Sequence, residues 1–162
     1  MKELKILCFL LFSINTFFAQ KAKETDIWSG RYRMEPLEKK DKTPSKVMYT
    51  IKKLSDANPD NLAGRYQDDL KRWVMIRVGE PKEKINLRRF LFNSEHNEYD
   101  EFGWTELHKQ GKINCMQGGR FFICKTQKNK TLNIGDDENL FTKSGFFGVL
   151  LHYGGFELYK VN

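Results

Sequence analysis

The chain is poor in the residues that most often signal a chemistry. Histidine and cysteine occur three times each in 162 residues. His96, His108 and His152 form no HExxH pair, and Cys8, Cys115 and Cys124 form no cysteine-rich ligand series, so the four-ligand set that structural zinc asks for has no candidates. No GxSxG nucleophile elbow occurs. Gly118-Gly119 lies between two strand-like runs, without the helix and lysine of a phosphate-cradling loop. The acidic turn Gly135-Asp136-Asp137-Glu138-Asn139 lacks the ordered carboxylate spacing of a calcium loop. Glu95, Glu98, Asp100 and Glu101 supply carboxylates, but their spacing does not place two across a cleft, as glycoside hydrolysis requires. No catalytic residue, metal ligand or cofactor is nominated, and binding rather than catalysis is the expected activity.

Long apolar runs are also missing. The longest, Ile6 to Phe12, is diluted by Ser13, Asn15 and Thr16 and falls short of the roughly twenty residues of a membrane span. It follows a positively charged start and precedes Ala19, so residues 1–19 read as a secretion signal, although Phe17 is large for a position close to the cut. A buried first strand is the alternative. The expected organisation is a signal peptide over 1–19, a loose leader over 20–26 and a single β-rich domain over 27–162, with no transmembrane segment in the mature chain and a periplasmic or secreted location. The formal charge is +7, and loss of Lys2, Lys5 and Glu3 with the signal leaves +6. That excess is spread through mixed-sign segments. It supports solubility and attraction to an acidic partner or envelope surface, and is too diffuse for specific nucleic-acid binding.

What the chain has is aromatic residues, 14% of its length, set in runs of period two. Strands are expected over 27–34, 46–54, 72–78, 85–92, 104–108, 112–117, 121–126, 132–134, 146–153 and 156–161. In the first, Trp28, Gly30, Tyr32 and Met34 share a face. In the fourth, Leu87 and Phe90 lie on opposite faces, and Arg88-Arg89 cannot both point inward cheaply, so one lies over an opening or pairs with a carboxylate. Residues 62–70 read as a short helical turn begun by Asp60 or Asn61. Asn129-Lys130-Thr131 matches a glycosylation acceptor.

Two turns set registers. With Gly119-Arg120 as a two-residue type II′ turn, Gly118 faces Phe121 and Cys115 faces Cys124 at a non-hydrogen-bonded pair, close enough for a disulfide; a turn at Gly118-Gly119 would set Cys115 against Phe122 instead. With Gly154-Gly155 as a type I′ turn, Tyr153 faces Phe156, His152 faces Glu157, Leu151 faces Leu158 and Leu150 faces Tyr159. Val149, Leu151 and Tyr153 then share the apolar face with Phe156 and Leu158.

The fold class is all-β: a small antiparallel barrel of eight strands, lipocalin-like in general architecture, or a closely related sandwich. Trp28-Ser29-Gly30-Arg31-Tyr32 resembles the opening of small lipid-carrying barrels over these five residues, with the order of tryptophan and glycine departing from their Gly-x-Trp pattern. The expected function is an exported, non-enzymatic binding protein for a small apolar or amphipathic ligand. Trp28, Tyr32, Arg88, Trp104 and Tyr153 are the candidate ligand-binding residues. Arg31, Arg33, Arg88 and Arg89 are the candidates to meet an acidic group. The competing expectation is an envelope protein that binds or inhibits another protein through its basic surface or an exposed loop.

Overall fold

The computed structural model describes residues 25–37, 47–134, 139–151 and 154–161. The chain forms ten strands: β1 (Gly30–Pro36), β2 (Met48–Lys53), β3 (Arg72–Arg77), β4 (Lys84–Arg89), β5 (Asn114–Gln117), β6 (Phe121–Lys125), β7 (Lys130–Asn133), β8 (Asn139–Thr142), β9 (Phe146–Leu150) and β10 (Gly154–Val161). Eight close into an antiparallel barrel in the order β1-β10-β9-β6-β5-β4-β3-β2, and β7 with β8 forms a separate hairpin. The barrel, not the sandwich, is the architecture. Closure is made by β1 against β10, whose ladder runs from Arg31 opposite Val161 to Pro36 opposite Phe156.

Alternation sorts every strand into an inner and an outer face. Inside lie Trp28, Tyr32, Ile51, Trp73, Met75, Leu87, Met116, Phe121, Ile123, Phe156 and Leu158, all at 8% exposure or less. These side chains fill the centre. A second core covers the outer face of β5, β6 and β9, where Phe90, Tyr99, Trp104, Ile113, Cys115, Cys124, Leu132, Leu140 and Phe147 pack together. It is built by the excursion between β4 and β5 and by the β7–β8 hairpin. Trp104 joins them, its indole N–H donating to the Asn133 carbonyl at 2.7 Å.

The β5–β6 hairpin has the register set by a Gly119-Arg120 turn. Gly118 N–H donates to the Phe121 carbonyl, Gly119 has φ +83°, and Cys115 stands opposite Cys124 with Cα atoms 4.1 Å apart and the disulfide formed. Leu87 and Phe90 do take opposite faces, one in each core.

Four expectations are corrected. Residues 105–109 form a short helix, α1 (Thr105–Lys109), where a strand over 104–108 was expected; Trp104, Phe102 and Leu107 turn toward the outer core, which a separate strand at this place would not allow on one side. Asn139–Thr142 is a strand although its flank is acidic, because Leu140 pairs with Leu132 and buries against the same core. The terminal hairpin is displaced: Leu150 pairs with Gly154 and Glu157 with Phe147, not with Tyr159 and His152. The cause lies at Gly148, where a Cβ would run into the Phe156 ring and come to 2.5 Å from the Phe122 carbonyl oxygen. Phe156 takes the space that the missing side chain leaves. The shift is by an odd number of residues, so it exchanges the faces. Phe146 and Leu150 join Phe156 and Leu158 inside, Phe147 and Val149 lie in the outer core, and Leu151 is 58% exposed. His152 and Tyr153 lie outside the described residues.

Between β2 and β3 the chain makes two 3-10 turns, Pro59–Asn61 and Gly64–Tyr66. The first is capped by Asn58, whose side chain accepts from the Asp60 N–H at 3.0 Å. This stands where a helical turn was expected from residue 62, and Pro59 at the first helical position moves its start forward.

Candidate functional site

One end of the barrel is built around Trp28. Asp26 Oδ1 accepts from the backbone N–H of Trp28 at 3.1 Å and from the Trp73 indole N–H at 3.1 Å, while Ser29 Oγ donates to Oδ2 at 2.5 Å. Burial pushes the Asp26 carboxyl up, but the hydrogen bonds from Ser29, Trp28 and Trp73 outweigh it and hold the group below its ordinary value. The Tyr32 hydroxyl donates to the Trp28 carbonyl at 2.6 Å. Burial first, and the Asp26 charge second, push that phenol well above its usual range. Trp28, Tyr32 and Trp73 are thereby locked as a plug.

Beside the plug is a cavity of about 500 Å³, walled by Ile27, Trp28, Phe90, Leu91, Phe92 and Tyr99, with Asp68, Asp69, Arg89, His108 and Asn114 among its polar groups. Arg89 is held by Asp69, Nε to Oδ2 at 2.7 Å. His108 stacks on Tyr99 with centroids 3.9 Å apart and meets the Phe92 ring edge-on at 4.7 Å. Its Nδ1 lies 3.0 Å from the Ile113 carbonyl oxygen. A carbonyl only accepts, so Nδ1 carries a proton and donates to it. Tyr99 accepts from the Cys115 N–H at 3.0 Å, and burial pushes its phenol up to about 12.

Of the candidate ligand residues, the structure brings Trp28 and Tyr32 together at this end, Trp28 in the cavity wall and Tyr32 wholly buried behind it. Arg88 and Trp104 lie on the outer side of the barrel. Arg88 is held by Glu98, by the Arg89 carbonyl, by Gln117 and by the Tyr66 ring, 4.6 Å from its guanidinium carbon. It borders a different cavity, of about 700 Å³, between Tyr66, Arg72 and Gln117. Trp104 belongs to the outer core, and Tyr153 is outside the described residues. Arg31 and Arg33 take the outer face of β1, where Arg33 pairs with Glu35 at 2.9 Å. Among the four arginines only Arg89 reaches the cavity. Asp69, Tyr99 and His108 were missed in the sequence, and Arg89 was one of four arginine candidates without being singled out, although one signal was present: if Leu87 faces inward, alternation sends Arg89 inward and Arg88 outward. No comparable signal marks Asp69 or His108, which come from loop and helix.

Compared with known proteins, the chain matches no family model, no curated protein and no solved structure. Among the described residues no group of three or more His, Cys, Asp or Glu side chains is placed to hold a metal ion, and no helix is long and apolar enough to cross a membrane.

Proposed function

We propose that the protein is an exported, non-enzymatic binding protein that holds a small amphipathic ligand in the cavity at the Trp28 end of its barrel. The observation that carries the reading is the cavity's make-up: about 500 Å³ with aromatic walls and a few oriented polar groups, the composition and size usual for small-molecule sites. The side chains that fill the barrel centre support a ligand at the end of the enclosure and not within it. Native mass spectrometry of the protein purified from its own cells tests this, with N-terminal sequencing reporting whether the mature chain starts at Gln20. A bound small molecule lost in Phe92→Ala is expected; a ligand-free mass, or an unchanged complement in that variant, overturns it.

A second reading, an envelope protein that binds another protein, is favoured by the filled centre and by exposed Phe141 and Leu151, at 46% and 58%. Co-purification of a stoichiometric protein partner, with no small molecule in the same spectra, selects it.

A further inference from the structure

The register around the barrel shows a feature that single strands hide. At the Trp28 end, the last inward-facing position of β2 is Lys53, of β4 Arg89, of β6 Lys125 and of β10 Lys160, each in phase with the interior residues Ile51, Leu87, Ile123 and Leu158. Four of the eight strands therefore deliver a cation to one mouth. The Lys53 ammonium lies 5.9 Å from the centre of the Trp73 ring and that of Lys160 5.8 Å from Tyr32, so both project over the plug. Lys125 stands opposite Asn114, which lines the cavity.

Asp26, Asp68 and Asp69 cancel part of this charge and leave one cation of the four in excess. Asp26 keeps its negative charge, held by hydrogen bonds from the neutral groups of Trp28, Ser29 and Trp73, and Asp69 pairs with Arg89. Asp68, in the cavity wall, offsets one cation. Among the described residues no ion pair engages Lys53, Lys125 or Lys160. Lysines held over aromatic rings at a concave mouth focus a positive field onto whatever enters.

We propose that the ligand carries an acid group, carboxylate or phosphate, at its polar end, received by Lys53, Lys125 and Lys160, with its apolar part among Phe90, Phe92 and Tyr99. This rests on the binding reading above and goes further in naming the head group. Arginine supplies none of the contact: Arg31, Arg33 and Arg88 face outward, and Arg89 is committed to Asp69.

Titration of the full mature chain with four probes sharing one tail, octanoate, octyl phosphate, octanol and octylammonium, followed by calorimetry, tests the head group. The acids are expected to bind at least about tenfold more tightly than octylammonium, a preference that shrinks with added salt. Whichever acid binds more tightly identifies the source. Lys125→Gln is expected to weaken the acids about threefold to fivefold, the size of one exposed ion pair. The triple variant Lys53→Gln, Lys125→Gln, Lys160→Gln is expected to erase the preference and leave octanol binding unchanged. Equal binding of all four probes, or a preference that survives the triple variant, overturns the head-group assignment and leaves the binding reading standing. Failure of every probe to bind overturns both.

Discussion

Arg88 and Glu98 meet fork to fork, Nη1 donating to Oε2 at 2.7 Å and Nη2 to Oε1 at 2.6 Å. The same carboxylate accepts the Leu91 N–H at 2.8 Å. This joins the outer face of β4 to the excursion that builds the outer core. Glu98→Gln keeps the shape and removes the charge, leaving a partly buried guanidinium short of its partner. The expected loss is about 1.5–3 kcal/mol, typical of hydrogen bonds to a charged group, read from the midpoint of urea unfolding. An unchanged midpoint contradicts this account of the pair.

Acid should loosen the molecule through a definite set of carboxylates. Burial pushes Glu98 and Glu157 up, but in each case hydrogen bonds win: from Arg88 and Leu91 on Glu98, and from Tyr159, Ser144 and Thr142 on Glu157. With Asp26, these groups hold their protons less tightly folded than unfolded. The stability they contribute is complete above the free glutamate value of 4.5 and is lost as pH falls through the lower folded values. Melting temperature is therefore expected to fall steeply below about pH 4.5, with a shallower fall in Glu157→Gln. A melting temperature that rises as pH drops through this range reverses the sign and refutes the assignment.

Reduction of the Cys115–Cys124 bond should destabilise without unfolding. The bond closes a short loop, a separation of 9 residues, for which chain entropy gives about 2.5 kcal/mol. Intact mass before and after reduction, combined with thiol labelling, checks the bond. Immediate labelling of both cysteines in the unreduced, folded protein rules it out.

Gly148→Ala is expected to be among the most harmful small changes. The added methyl group meets the Phe156 ring and the Phe122 carbonyl within 3 Å, and a backbone atom cannot step aside. A loss of about 1–3 kcal/mol or more is expected from such overpacking. Retained stability in the variant would mean that β9 and β10 are not paired as described.

Trp104→Phe separates packing from hydrogen bonding in the outer core. The ring volume largely stays and the bond to the Asn133 carbonyl goes, at a cost of about 1–2 kcal/mol including the orphaned acceptor. Octanol affinity is expected not to change, because Trp104 has no place in the wall of the Trp28-end cavity. A loss of affinity without a loss of stability would return Trp104 to the ligand site.

Much of the barrel is legible in the sequence because alternation is strict where it matters. Tyr49 and Ile51, and Phe121 and Ile123, mark an inner face two residues apart, Trp28 and Tyr32 do so four apart, and all lie in or against the inner core. The cysteine pairing is legible because Gly119 is the residue a tight turn needs at that place. The last hairpin misleads for the same reason: Gly154-Gly155 satisfies a local turn rule, but Gly148 and Phe156 satisfy a packing rule that acts across the sheet. The short helix after Trp104 was hidden by aromatic residues that suit either state. The cavity was harder still. It joins residues from the start of the chain, from the loop before β3, from β4 and from α1, and no local pattern records that meeting.

The seam between β1 and β10 sets the terms on which the molecule can be completed. The first strand of the barrel pairs locally with β2 but finds its second neighbour only in β10, Gly154–Val161, so distant parts of the polypeptide must meet before the enclosure exists, a feature of slow-forming topologies. Until then β1 and β9 each present a row of unsatisfied backbone groups, the kind of border along which separate molecules stitch together. A chain shortened by that one segment would be a sheet with two open borders, prone to joining copies of itself into larger assemblies.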